Sequence, residues 1–165
     1  MVLRKKSAYA KPRWAEHLSA PTHQINLGHL PTPLHAWDRM PLLDQLGVSW
    51  YIKRDDASAA IEMAGNKVRT LEFLLADALE QNCDCVVTIG GAQSNHCRAT
   101  AAAARLLGLE PHLILRAPAA ALPESGLEGN LMLDRMLDAT IHMESTSEYV
   151  QAGHAALVER LGKQL

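Results

Sequence analysis

Gly65-Asn66-Lys67-Val68-Arg69 places a lysine where a polar, glycine-containing stretch gives way to a helical pattern. A lysine amine attacks a carbonyl only when deprotonated, and the partial positive charge at a helix N-terminus disfavours the ammonium, so Lys67 is a candidate Schiff-base former. Taken alone, the same lysine also fits a solvated surface charge. A second candidate is Thr88-Ile89-Gly90-Gly91-Ala92-Gln93-Ser94-Asn95-His96, in which an apolar, β-branched run turns through two glycines into a helix start. In an open α/β sheet such a turn lies at the carboxyl edge, where these sheets bind ligands. Free amides at the helix start and the Ser94 hydroxyl can hold a carboxylate, and Asn95 can donate to a phenolate or carbonyl oxygen. Ser94 as a plain helix cap and Asn95 as the end of the turn fit these residues equally well.

Competing chemistries fare worse on the same residues. A dinucleotide site needs G-x-G-x-x-G, whereas Gly90-Gly91 is followed by Ala92-Gln93-Ser94-Asn95. Ser94 and His96 stand two apart on a helix, facing different ways, and no G-x-S-x-G elbow surrounds the serine. Histidines at 17, 23, 29, 35, 112, 142 and 154 show no metal-binding spacing, and Cys83-Asp84-Cys85 is too tight for a structural zinc pair. No metal is expected. Three cysteines, Cys83, Cys85 and Cys97, form no disulfide framework and suggest a reducing compartment.

The elements that must position Lys67 and the Ser94 turn follow from periodicity. From Lys67, the apolar residues Val68, Leu71, Leu74, Leu75, Ala78 and Leu79 recur at helical spacing, with Arg69, Glu72 and Asp77 off that stripe and Asn66 as the N-cap. Residues 85–89 read as a strand buried on both faces of a parallel sheet. An alanine-rich, buried helix follows over about 94–107, stopped by Gly108. Next come a strand over 112–116, a loop over 117–128, a helix near 130–137, a strand over 140–143 and a single last helix over about 147–161. Before these, residues 1–49 are irregular, with prolines at 12, 21, 31, 33 and 41, and 50–53 is a short strand entering a polar loop. Alternating strands and helices imply a doubly wound α/β unit with a parallel sheet over about 67–165.

Bulk properties bound the partners. The 165 residues are 48% hydrophobic and 21% charged, an ordinary globular balance. A net charge of −2 provides no field for nucleic acid or an anionic membrane, and no apolar run is long enough to span a bilayer, so a small-molecule partner is expected. Arg4, Lys5, Lys6, Lys11 and Arg13 precede any acid, as in a transit peptide, but no apolar signal core follows. Cytoplasmic residence is the first expectation and mitochondrial import the alternative.

Taken in order, Leu30-Pro31-Thr32-Pro33-Leu34, Ile52-Lys53-Arg54-Asp55-Asp56, the block from Gly65 through Lys67 to Phe73, the block from Thr88 through Ser94 to Arg98, and Gly129-Asn130-Leu131 with Leu133-Asp134-Arg135 resemble the D-cysteine desulfhydrase and 1-aminocyclopropane-1-carboxylate deaminase family. That resemblance runs from Leu30 onward. It implies a pyridoxal 5'-phosphate (PLP) lyase of the tryptophan synthase β-like fold (fold type II), here truncated. Residues 1–55 would be an incomplete part of the larger PLP domain, and 56–165 the smaller α/β domain. By the same likeness Lys67 would form the internal aldimine and exchange protons with the substrate, Asn95 would bond the phenolic oxygen of PLP, and Asn66 would line the cofactor site. Ser94 would bind the substrate carboxylate or assist proton removal, and His96 would join Ser94 and Asn95 in holding a small amino-acid substrate. A histidine after Ser94-Asn95, followed by Cys97-Arg98, is more similar to the desulfhydrases; the deaminases tend to carry glutamine there. D-cysteine, yielding pyruvate, ammonia and sulfide, is therefore the first substrate expected, and the cyclopropane amino acid the second. Ala64 and Thr70 depart from the family pattern, where glycine and lysine are usual, and neither change removes a catalytic group. In the family a glycine-rich loop that cradles the PLP phosphate lies outside the part matched here, and a homodimer is implied for the full-length enzyme. The chain is thus expected to be an incomplete copy; the alternative is an inactive homologue serving as a binding or interaction module.

Overall fold

The computed structural model describes residues 6–37, 41–60, 62–63, 65–118 and 128–165. Two short antiparallel pairs precede the main sheet: β1 (Lys6–Ala8) with β2 (His23–Ile25), and β3 (Leu34–Ala36) with β4 (Tyr51–Lys53). The four-residue helix α1 (Pro41–Asp44) lies between β3 and β4 in sequence. Then come α2 (Lys67–Glu80), β5 (Cys85–Gly91), α3 (Asn95–Leu107), β6 (Glu110–Ala117), α4 (Gly129–Met136), β7 (Thr140–Ser145), α5 (Thr146–Ala152) and α6 (His154–Gly162). Strands β5, β6 and β7 form a parallel sheet in that order, with Thr88 opposite Leu113 and Leu113 opposite Ile141. Nine of the residues from 119 to 127, within the expected loop, lie outside the described residues, as does Ala64.

Alternate side chains of the central strand explain the layering. Leu113 and Leu115 pack with Cys97 and Ala101 of α3 and Leu131 of α4, while Ile114 packs on the opposite face with Tyr149 of α5 and Leu157 and Leu161 of α6. Helices therefore cover both faces. The small side chains of α3 are the reason it sits so deep: Ala99, Ala101, Ala102, Ala103 and Ala104 are all buried, letting α2, α4 and the sheet approach its backbone closely. A further cluster joins Val68, Leu71 and Leu75 of α2 to Ile25 of β2 and Leu27 just after it. Tyr9 adds an edge-on ring contact with Phe73 at 4.9 Å. The β3–β4 pair, by contrast, leaves Leu34, Trp37, Trp50 and Tyr51 exposed.

Three expectations need correction. The expected last helix is two: at Gly153 the backbone takes φ +75° and ψ 157°, which a side chain would strain, and the chain restarts as α6. Strand β5 is only half-buried along most of its length, because among the described strands it is bonded to β6 alone and stands at the sheet edge. Glu72 is not an outward residue of α2; it is buried. Among the described residues no helix is long and apolar enough to cross a membrane.

Candidate functional site

Lys67 is the first residue of α2 and is half-buried. The approach to it is fixed by Ser58, fully buried, whose hydroxyl donates to the Gly65 carbonyl (3.0 Å) and accepts from the Gly65 N–H (2.9 Å). Asn66 occupies the N-cap position in helical conformation, is exposed, and makes no side-chain cap bond, contrary to the capping role expected of it. One turn into α2, Glu72 accepts the backbone N–H groups of Leu27 and Gly28, both at 2.9 Å. This buried carboxylate ties the segment after β2 to the helix that carries Lys67. Arg69 makes a forked pair with Asp55 (2.9 and 3.1 Å), and Asp55 also accepts the Thr32 hydroxyl (2.8 Å). Both bonds hold the Asp55 carboxyl below its usual range, the one from Arg69 first.

The Gly90 turn leads from the carboxyl end of β5 into α3, as the sequence implies. Ala92 N–H donates to Arg116 O of β6 (3.0 Å), tying the turn to the sheet. Ser94 caps α3: its Oγ accepts the Cys97 N–H at 3.2 Å, and its hydroxyl also bonds the Cys97 thiol, which opposes the rise that burial imposes on that thiol's pKa. The close approach dictates Gly90, since a β-carbon there would stand 2.7 Å from Cys97 Sγ and 2.8 Å from Ser94 Oγ.

His96, in the first turn of α3, is partly buried, and its Nδ1 is buried without a hydrogen-bond partner. Burial lowers its pKa, and the charge of Lys67 lowers it further, so Lys67 and His96 lie within electrostatic reach of each other. Asn95 is exposed. Its Oδ1 accepts from Asn130 Nδ2 (2.8 Å) and Arg98 Nη1 (3.3 Å), and no acceptor among the described residues meets its Nδ2. Asn130 Nδ2 also donates to Gln93 O (2.8 Å), Asn130 N–H to Gln93 Oε1 (2.8 Å), and Arg98 Nη1 to Asn130 Oδ1 (2.8 Å). Among the described residues no group of three or more histidine, cysteine or acidic side chains stands close enough to hold a metal ion.

A model of the pyridoxal-phosphate-dependent enzyme family matches residues 25–164. The chain belongs to that family. It is 48% identical over 162 residues to the bifunctional D-cysteine desulfhydrase/1-aminocyclopropane-1-carboxylate deaminase, mitochondrial, of Arabidopsis thaliana, covering 97% of this chain and 40% of that protein. Against the D-cysteine desulfhydrase of Salmonella paratyphi B it is 46% identical over 121 residues, 73% of this chain and 36% of the relative. Its fold matches the crystal structure of an ACC deaminase homologue with TM-score 0.64 and 31% identity, over 86% of this chain and 41% of the other. The chain thus spans about two fifths of the length of the relatives it matches. A PLP cofactor belongs with the family, and the residues at the turn suit it. The turn offers an exposed amide donor at Asn95 and the Ser94 hydroxyl beside His96, whose Nδ1 has no partner and which feels the charge of the half-buried Lys67.

Sequence reasoning missed Ser58, Glu72, Gln93 and the role of Asn130 with Arg98. Asn130 and Arg98 were visible only as parts of family motifs. Glu72 carried a weak signal, an acid immediately beside the apolar stripe of a helix.

Proposed function

We propose that this chain is the lysine-bearing part of a PLP-dependent lyase acting on a small amino acid, with Lys67 as the cofactor lysine and D-cysteine as the substrate. The observation that carries the reading is the turn at Ser94-Asn95, whose hydroxyl and outward amide stand at the start of α3 while His96 lies within the field of Lys67. When bound, the cofactor supplies an electron sink for the pair left at the substrate α-carbon. Asn95 Nδ2 donates to its phenolic oxygen, and Asn66 lines the approach. The Ser94 hydroxyl and the free N–H groups of the α3 N-terminus hold the substrate carboxylate. Lys67 takes the α-proton. His96, kept towards neutrality by burial and by the Lys67 charge, borders the substrate. In the net reaction D-cysteine and water give pyruvate, ammonia and hydrogen sulfide: the Cα–H and Cβ–S bonds break, sulfur leaves with its electron pair, and water displaces nitrogen. The names of the Arabidopsis and Salmonella relatives support D-cysteine, and the first of them also supports the cyclopropane amino acid as the alternative.

The exposed Leu34, Trp37, Trp50 and Tyr51, with the two-fifths coverage, support a working enzyme in which further sequence covers the β3–β4 pair and holds the cofactor phosphate. A homodimer is proposed for that enzyme, to be read by sedimentation. Cytoplasmic residence is proposed as well, with mitochondrial import as the alternative that the Arabidopsis name supports; imaging of a tagged chain decides.

The test is borohydride reduction of the chain after incubation with PLP, followed by peptide mass mapping. Reduction fixes the cofactor on its lysine, so the added mass belongs on Lys67 and vanishes in Lys67→Ala. A label on another lysine, or none on a folded chain, overturns the assignment. For substrate, the chain joined to its family's remaining sequence is assayed with D-cysteine, L-cysteine and the cyclopropane amino acid. Release of a 2-oxo acid from none of them ends the lyase reading.

A further inference from the structure

The hydrogen bonds around Asn95 settle which way its amide points. Arginine can only donate, so the Asn95 and Asn130 atoms facing Arg98 Nη1 must be oxygens. A backbone carbonyl can only accept, so the Asn130 atom facing Gln93 O must be its nitrogen. Both constraints give Asn130 one orientation, independently. Its nitrogen then faces Asn95 Oδ1 at 2.8 Å, which again makes that Asn95 atom an oxygen. Gln93 is fixed in turn, since its Oε1 accepts the Asn130 N–H and its Nε2 donates to Glu128 O (3.3 Å). Arg98 itself is anchored by its Nε on Glu62 O at 3.2 Å. The consequence is a polarised amide: oxygen held inward by two donors, nitrogen outward with both protons available.

We propose that Asn130, together with Arg98, is a positioning residue that turns the Asn95 amide so that its Nδ2 donates to the bound cofactor. The proposal rests on the reading that Asn95 faces PLP. It assigns α4, which carries Asn130 at its start, a part in aligning the site across the chain from Lys67. Neither Asn130 nor Arg98 has to touch the cofactor for this.

The isosteric change Asn130→Asp gives a directional test. Aspartate keeps the acceptor for Arg98 but turns an acceptor toward Asn95, whose amide must then reverse to donate inward. Hydrogen exchange of the side-chain amides, followed by NMR on the cofactor-free chain, reads this directly. In the unsubstituted chain, Asn130 amide protons exchange slowly and those of Asn95 at the rate of an open amide. In Asn130→Asp, the Asn95 protons slow by about tenfold, the protection one hydrogen bond of ordinary net strength gives. Protected Asn95 protons in the unsubstituted chain overturn the proposal, and that comparison needs no variant to fold. Equal Asn95 exchange in the two chains overturns it as well.

With PLP bound, losing the donated hydrogen bond destabilises the phenolic oxygen anion. The pH midpoint at which the visible absorbance of the lysine-bound cofactor titrates therefore moves up in Asn130→Asp. Arg98→Lys, which still donates, keeps the midpoint nearer that of the unsubstituted chain. A midpoint unmoved in Asn130→Asp contradicts the positioning role. Failure of the unsubstituted chain to take up PLP at all counts against the functional reading instead and leaves the amide result standing.

Discussion

Asp134 buries its whole side chain in α4, and neither carboxyl oxygen has a hydrogen-bond partner. Burial pushes its pKa from 3.8 up to about 6, against a smaller opposing pull from the Arg98 guanidinium. A raised carboxyl pKa means that the folded protein holds the proton more tightly than the unfolded chain. The stabilising contribution is therefore complete below the unfolded value of 3.8 and is lost as pH rises through about 6. The interval corresponds to about 3 kcal/mol of folding free energy. Asp134→Asn keeps the shape and removes the titration, while every other carboxyl group titrates alike in both proteins and cancels. Between pH 3 and pH 7 the original protein should thus lose about 3 kcal/mol relative to the asparagine variant. With urea slopes of about 1–3 kcal/mol per molar, the gap between unfolding midpoints should change by about 1–3 M over that range. Urea unfolding followed by circular dichroism at four pH values measures it. Parallel pH profiles would refute the reasoning. A gap moving the opposite way would show that Arg98, and not burial, governs Asp134.

Two further changes probe the supports of the site. Glu72→Ala removes the acceptor of two backbone N–H groups, each charge-assisted bond worth about 1.5–3 kcal/mol, so a loss of about 3–5 kcal/mol is expected by chemical denaturation. Glu72→Gln keeps an acceptor oxygen and should lose clearly less; equal losses would contradict the account of the carboxylate. Gly90→Ala forces a β-carbon against Cys97 Sγ and Ser94 Oγ and should cost about 1–3 kcal/mol, part of which Cys97→Ala restores in a double-mutant cycle. Simple additivity of the two changes would show that the sulfur is not the obstacle.

What the sequence discloses and what it hides divide along chain separation. Lys67 at a helix start and Ser94-Asn95 after two glycines are local patterns, since a helix start and a strand-to-helix turn are built within about ten residues. The β5–α3–β6–α4–β7 order is legible for the same reason. Glu72 was misread because a carboxylate beside an apolar stripe looks solvated until its partners, 44 and 45 residues earlier, fold over it. Gly153 was passed over because a glycine is tolerated inside a helical pattern, and only its φ of +75° shows that the helix stops there. The half-buried face of β5 follows from its place in the sheet, and an apolar β-branched run carries no mark of whether one neighbour or two will bond it. Asn130 meets Gln93 and Asn95 from 37 and 35 residues away, so nothing in the local pattern of α4 announces that its first turn orients an amide on α3. The general physical point is that residue types capable of the chemistry can be read from short segments, whereas the direction in which an amide or carboxylate points is set by donors and acceptors that only the folded chain brings together.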